Sequence, residues 1–252
     1  MKIGVIGLGL IGGSIFKSLQ NKYSVVGISR TVNEPNVSND YNLLKDCELV
    51  FVCTPMNITL EVLDKLEGVL QPTTIVTDVC SLKSFVSKKT YSYKFIPSHP
   101  MAGTEHSGWE SSFAELFIGA KWAITPINEN FVQERETLEA VIKTMGADVI
   151  ITTPEEHDKA VALISHLPMF VAQALCKNII NEKLAQELAS SGFRDTTRLA
   201  LSNLEMANDM IELNRNNILQ AYETLNKSLE NLLKNNYLEQ VKTIKDFRKK
   251  LF

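Results

Sequence analysis

The chain has 252 residues, 44% of them hydrophobic and 22% charged, with a formal net charge of −3, which is the make-up of an ordinary soluble globular protein of one large domain or two modest ones. A slightly acidic balance speaks against a nucleic-acid partner, and no apolar run approaches the ~20 residues of a membrane span. No basic flank followed by an apolar core opens the chain as in a signal peptide, so the expected compartment is the cytoplasm.

Lys2-Ile3-Gly4-Val5-Ile6 is a short apolar run that reads as a buried parallel strand, and Gly7-Leu8-Gly9-Leu10-Ile11-Gly12-Gly13-Ser14 follows it with the spacing G-x-G-x-x-G. In a dinucleotide fold Gly7 allows the tight turn and Gly9 admits a pyrophosphate to the backbone. Gly12, helped by Gly13, lets the next helix pack on the strand. That helix, residues 10–20, would aim its free N–H groups and positive dipole end at the phosphates. A second strand, residues 24–28, ends in Ser29-Arg30-Thr31. No carboxylate stands there for a ribose 2′-hydroxyl, the next acid being Glu34, whereas Arg30 with Ser29 and Thr31 suits a 2′-phosphate and hence NADP over NAD.

Apolar runs recur at residues 49–53, 74–78, 94–96, 122–125 and 148–151, separated by helical stretches carrying Ile58, Leu60, Val62, Leu63 and Leu66 or spanning residues 131–145. Strands alternating with helices predict a mostly parallel sheet covered on both faces. The third strand runs into Cys53-Thr54-Pro55, the fourth into Asp78-Val79-Cys80-Ser81-Leu82-Lys83, and the fifth into Pro97-Ser98-His99-Pro100-Met101-Ala102-Gly103-Thr104-Glu105. Ligands of open α/β sheets bind at such carboxyl ends. His99, between two prolines, is set to exchange a proton with a substrate or else is a structural loop residue. His106 and His157 lack such a setting and read as surface residues. Cys47, Cys53, Cys80 and Cys176 form no C-x-x-C pair or Cys/His cluster, so they indicate neither disulfides nor a metal site and read as small core residues.

Near Thr152-Thr153-Pro154 the alternation stops, which divides the chain into residues 1–152, a Rossmann-type dinucleotide-binding domain, and residues 153–252, an all-α domain. Apolar stripes in excess of what one short bundle needs point to a homodimer through this half. Two polar clusters interrupt it. Ser165-His166-Leu167-Pro168 predicts a kinked helix whose histidine is either a core residue or part of a site. Ser190-Ser191-Gly192-Phe193-Arg194-Asp195-Thr196-Thr197-Arg198 gathers hydroxyls and guanidiniums suited to clamping a carboxylate. The basic tail (Lys242, Lys245, Arg248, Lys249, Lys250) reads as a solvated helix face.

Taken together, the glycine loop, Thr77-Asp78-Val79-Cys80-Ser81-Leu82-Lys83, Ser98-His99-Pro100-Met101-Ala102-Gly103-Thr104-Glu105, Ile164-Ser165-His166-Leu167-Pro168 and Ser191-Gly192-Phe193-Arg194-Asp195-Thr196-Thr197-Arg198 resemble the prephenate and arogenate dehydrogenases of tyrosine biosynthesis. The resemblance spans nearly the whole chain. It implies an oxidative decarboxylation driven by aromatisation of a cyclohexadienyl ring, with a nicotinamide cofactor held by Gly7, Leu8, Gly9, Leu10, Ile11, Gly12, Ser29, Arg30, Thr31, Cys53, Thr54 and Pro55. By the same resemblance His99 accepts the 4-hydroxyl proton, Ser81 positions that hydroxyl and His99, Arg198 binds a substrate carboxylate, and Asp195, Thr104, Ser165 and His166 line or order the pocket. The chain departs from many prephenate-using relatives in having Met169 after the Leu-Pro pair and Ala207 in place of Trp, both on the substrate side, so prephenate and arogenate both stay open. A rival reading is a β-hydroxyacid dehydrogenase, of whose catalytic lysine Lys177-Asn178 is a faint echo. Another is a dinucleotide sensor without turnover.

Overall fold

The computed structural model describes residues 1–104 and 106–251. Its N-terminal half is built on a parallel sheet of β1 (Lys2–Ile6), β2 (Ser24–Ile28), β3 (Val37–Ser38), β4 (Leu49–Val52), β5 (Ile75–Asp78) and β6 (Lys94–Phe95), in the order β3-β2-β1-β4-β5-β6. The chain leaves β1 first to one side and then to the other, which opens a crevice beyond the carboxyl ends of β1 and β4. Side chains along each strand alternate between two cores. Ile3, Val5, Leu49 and Phe51 enter one core with Ile15, Phe16 and Leu19 of α1 (Leu10–Leu19). Ile6, Val50 and Val52 enter the other with Val62, Leu63 and Leu66 of α2 (Met56–Leu66).

The expectation of one continuous sheet is corrected. A second, three-stranded sheet holds β7 (Ser98–Met101), β8 (Lys121–Ile124) and β9 (Asp148–Ile151), with β7 antiparallel to β8 and β9 parallel to it. α3 (Val132–Thr144) makes the crossover from β8 to β9. The sheets meet through Trp122, which is fully buried, packs edge-on against Phe51 at 6.3 Å and donates from its indole nitrogen to Ser98 Oγ at 3.0 Å. Burying such a ring removes roughly 200 Å² from water, worth about 5 kcal/mol at most. His99 therefore lies inside a strand, opposite Ala123 in the ladder, and not in a loop after one.

From Pro154 onward every described regular element is helical. Thr153 and Glu156 form a reciprocal capping box at the start of α4 (Pro154–Val161), and Pro154 fills a position whose N–H needs no helical partner. A π turn over Ala162–His166 joins α4 to α5 (Leu167–Asn178), so the helical backbone departs from α geometry just before Pro168, where the sequence predicts a kink. The resulting helix, Pro154–Asn178, is 25 residues long and by length and composition could cross a membrane, contrary to the expectation that no run approaches that size. It buries the polar side chains His157, Asp158 and His166 against the rest of the protein. Short helices α6 (Lys183–Leu188) and α7 (Ser191–Thr196) lead to α8 (Leu204–Lys234) and α9 (Tyr237–Leu251). Asn203 caps α8 by accepting the Met206 N–H at 3.0 Å, and α8 is broken in mid-course at Asn214, whose φ of −122° and ψ of 17° are not helical.

Candidate functional site

The glycine loop turns off β1 at Gly7, whose φ of +85° favours glycine and where a Cβ would meet the Cys53 carbonyl at 2.6 Å. A Cβ on Gly12 would lie 2.0 Å from the Gly7 carbonyl oxygen and 2.9 Å from Cys53 Cβ, so the close approach of α1 is to the loop itself and the end of β4. Gly13 instead packs on Trp109 and Ser112. Gly9 is different, since a Cβ there would have nothing within 4 Å. It stands before α1, whose first turn has no side-chain cap. Uncapped N–H groups behind an open backbone cradle fit a dinucleotide pyrophosphate. At the end of β2 the Ser29 hydroxyl oxygen accepts the N–H groups of Thr31 at 3.3 Å and Val32 at 3.1 Å, leaving Arg30 and Thr31 exposed.

Cys53-Thr54-Pro55 leads into α2 and ties the loop to the end of β5. Thr59 Oγ1 lies 2.9 Å from Thr54 Oγ1 and accepts from Cys80 Sγ at 3.3 Å. Burial pushes the Cys80 thiol up to about 12 and the Cys53 thiol well above its ordinary value, so neither is a thiolate nucleophile near neutral pH.

Beyond Cys80 the chain is held by buried charge. The Lys83 ammonium, fully buried, pairs with Asp78 Oδ2 and donates to the Ser98 carbonyl at 2.6 Å. Asp78 also accepts the N–H groups of Cys80 at 2.9 Å and Ser98 at 3.3 Å. A buried ion pair of this kind is tolerable only because its remaining donors and acceptors are filled. It fixes β7 against β5 and so fixes His99, half-buried one residue beyond Ser98. Burial holds the His99 imidazole well below its ordinary value, and positive charge at His157, Lys83 or His166 lowers it further. His99 is therefore neutral, a base that needs no prior deprotonation.

The reading of His157 as a surface residue is overturned. It is 4% exposed, with Nε2 3.0 Å from His99 Nδ1 and Nδ1 2.9 Å from Asp158 Oδ1. Asp158 in turn accepts the backbone N–H of Lys83 at 2.8 Å and of Ser84 at 2.9 Å. Burial works to raise the Asp158 carboxyl, but the hydrogen bonds from His157, Ser84 and Lys83 prevail and hold it below its ordinary value. Asn214, at the break in α8, donates to the Asp158 carbonyl at 2.8 Å and to His166 Nδ1 at 3.1 Å. A carbonyl can only accept, so this amide is oriented. His166, which burial pulls down to about 4, then carries its proton on Nε2, a buried atom with no partner among the described residues.

Of the expected site residues, His99, His166 and the Ser81 loop are thus brought together, with His157, Asp158, Asn214, Asp78 and Lys83 added. Ser81 and Ser165 are half-buried. Thr104 is exposed and accepts the His106 N–H at 3.2 Å, while Glu105 lies outside the described residues. Asp195 is exposed and paired with Arg194 at 3.3 Å. The Arg198 guanidinium is exposed and in no ion pair among the described residues, and Leu199 beside it packs on a cluster of Met56, Cys80, Leu82, Val161, Met169, Ala207 and Met210. That cluster sets the Arg198 turn near the residues flanking Ser81. Lys177 is exposed in the last turn of α5. The signal that could have found His157 was helical phase: residues 154, 157, 158, 161 and 162 form one buried stripe.

The family model described as prephenate dehydrogenase, nucleotide-binding domain, matches residues 20–151, and that described as prephenate dehydrogenase, dimerization domain, matches residues 153–249. The chain is 29% identical over 275 residues to a prephenate dehydrogenase of Bacillus subtilis, covering 96% of this chain and 74% of that one. It is 33% identical to an arogenate dehydrogenase of Synechocystis whose crystal structure superposes with a TM-score of 0.85 over the whole of both chains. A structure of A. aeolicus prephenate dehydrogenase in complex with hydroxyphenyl propionate and NAD+ has 27% identity and a TM-score of 0.85, covering 100% of this chain and 98% of that one.

Proposed function

The chain belongs to the prephenate dehydrogenase family, NAD(P)-dependent oxidoreductases, and from that premise we propose that it converts prephenate to 4-hydroxyphenylpyruvate in tyrosine biosynthesis. The observation that carries the reading is His99, a neutral, half-buried imidazole held in β7 beside the Ser81 loop. A nicotinamide cofactor held by the glycine loop and the end of β2 would supply the acceptor for a hydride from substrate C4. His99 accepts the proton of the C4 hydroxyl as the C–O bond becomes a carbonyl. The ring carboxylate then leaves as carbon dioxide, its bonding pair enters the ring, and the proton returns to the oxygen of the new phenol. The chain's own contribution is orientation, exclusion of water and one base. The Nε2–H of His166 and the guanidinium of Arg198, the one without a hydrogen-bond partner and the other without an ion pair among the described residues, supply a donor and a cation for substrate oxygen atoms.

We further propose NADP as the preferred cofactor, because Arg30 and Thr31 are exposed at the end of β2 and no carboxylate stands there. A homodimer through the helical half is supported by its dimerization-domain match and by Leu184, Leu188, Leu201, Leu204, Leu233 and Leu238, each about 70% exposed or more in the single chain. The proposed compartment is the cytoplasm, in keeping with a composition ordinary for a soluble globular protein. Arogenate is the second reading, favoured by the 33% identity to the Synechocystis arogenate dehydrogenase over the whole of both chains, while Met169 and Ala207 lie in an apolar cluster that distinguishes neither a keto nor an amino side chain. The test incubates the chain with prephenate or arogenate and with NADP+ or NAD+, following the absorbance of reduced cofactor. Turnover with prephenate and NADP+ is expected to lead. Absence of turnover in all four combinations would overturn the reading.

A further inference from the structure

Two adjacent histidine rings cannot share one hydrogen bond without one of them choosing a tautomer, and here a carboxylate makes the choice. Asp158 Oδ1 accepts the Lys83 N–H and Oδ2 the Ser84 N–H, at 2.8 and 2.9 Å. Backbone N–H groups only donate, so the carboxylate is an acceptor on both oxygens, and His157 Nδ1, 2.9 Å from Oδ1, must be the donor. A neutral His157 then has a lone pair on Nε2. That atom is 3.0 Å from His99 Nδ1, across rings inclined at 74°, so the proton between the two rings belongs to His99 Nδ1. His99 is left with its lone pair on Nε2.

We propose that His157 is a positioning residue for His99: the chain Asp158, His157, His99 fixes His99 as the Nδ1–H tautomer and leaves Nε2 as the atom that takes the substrate proton. This rests on the reading of His99 as the base. The same chain steadies the imidazolium that forms on proton uptake, since Nδ1–H keeps its acceptor while the Asp158 charge stands one ring away. The other charged or titratable groups around His99 are Lys83, neutralised by Asp78, and His166, and neither is hydrogen-bonded to its ring among the described residues. Asp158 also pins Lys83 and Ser84, so replacing it would disturb the Ser81 loop, whereas both side-chain hydrogen bonds of His157 among the described residues belong to this chain.

The test uses the full-length protein with two substitutions. His157→Phe keeps a ring but removes both nitrogens, and His157→Gln returns an acceptor close to where Nε2 stood. His157→Phe should lower kcat by about 10–100-fold while changing KM for substrate and for cofactor by no more than about twofold, and His157→Gln should recover part of the loss. Side-chain nitrogen NMR of the protein without ligands should find His99 protonated on Nδ1 in the wild type, and on Nε2 or on both in slow or fast exchange in His157→Phe. A wild-type His99 protonated on Nε2, or a folded His157→Phe with undiminished kcat, would overturn the proposal. If His157→Phe fails to fold, the wild-type tautomer and His157→Gln decide. If the protein turns over none of the substrates tested, the functional reading fails while the tautomer measurement still judges the hydrogen-bond chain.

Discussion

Gly9 and Gly12 occupy equivalent-looking places in the glycine fingerprint, yet the structure gives them opposite consequences when each is changed to alanine. At Gly9 the new methyl would find nothing within 4 Å, and the backbone there, with φ of −83°, suits any residue. Folding stability should stay within about ±0.5 kcal/mol or gain slightly from the stiffer unfolded chain. The methyl would, however, stand where a pyrophosphate has to approach the α1 N–H groups. Losing one hydrogen bond to a charged group is worth about 1.5–3 kcal/mol, so the cofactor Kd should rise roughly 10–150-fold. At Gly12 the methyl would sit 2.0 Å from the Gly7 carbonyl oxygen, and backbone must move to admit it. Overpacking of about 1–3 kcal/mol should lower Tm by roughly 2–12 °C in a chain of this size. Calorimetric titration with NADP+ and NAD+, run beside thermal unfolding, separates the two. A Gly9→Ala protein that binds cofactor as the wild type does would refute the placement of the phosphates.

His99→Asn should leave cofactor Kd nearly unchanged and lower kcat by about 10²–10⁴, and near-normal turnover would remove His99 from the chemistry. Arg30→Ala should weaken NADP+ by about tenfold or more with little effect on NAD+, while equal weakening of both would contradict the 2′-phosphate contact. Arg198→Ala should raise substrate KM by the equivalent of roughly 1.5–3 kcal/mol, and an unchanged KM with a lower Tm would make Arg198 structural. His166 is lowered from 6.5 to about 4 by burial, so the folded state resists its protonation: stability is full above 6.5 and is lost as pH falls from there toward 4. That gap corresponds to roughly 3 kcal/mol, with the lowered His99 adding in the same direction, and urea midpoints that do not change between pH 7 and pH 5 would contradict the neutral, buried state of His166.

What could be read from the sequence was what neighbours in the chain determine. The glycine loop is local, and the β-branched runs of β1, β2, β4 and β5 announce strands buried on both faces. β3 and β7 gave no such signal. β3 is a pair of residues, and β7 is Ser98-His99-Pro100-Met101, with a proline that a strand accepts only at an edge, which is its place in the second sheet. Division of the strands between two sheets depends on pairing across long separations, to which periodicity is blind. His157 reads as a surface residue because it lacks the strand-end setting of His99, and it follows Glu155 and Glu156 in the chain. Both glutamates are exposed, but a helix turns, and three residues after Pro154 the buried face returns at His157 and Asp158. The Asn214 contact had no precursor in the sequence, because it depends on a break in α8 that sets an amide against α4 and the π turn.

The Asp158 network also explains why the candidate base and the candidate hydroxyl keep their spacing although they lie on separate segments. His99 belongs to β7 and Ser81 to the turn after β5, and the Asp78–Lys83 pair joins these segments from below by holding the Ser98 carbonyl and N–H. From the helical half, one carboxylate grips both: Asp158 accepts the Lys83 and Ser84 N–H groups beside Ser81 and, through His157, reaches His99. A shift of α4 would therefore carry the Ser81 loop and His99 in the same direction, and their separation would change less than either position. Three buried charges are the cost of this arrangement, at several kcal/mol of desolvation for each one left unpaired. Each has its partners, the Asp78 and Lys83 charges in one another and in Ser98, and the Asp158 charge in two backbone N–H groups and an imidazole N–H. Removing one member should therefore be far more damaging than the weak net stabilisation of the intact network suggests, because it would strand a buried charge and release the spacing together.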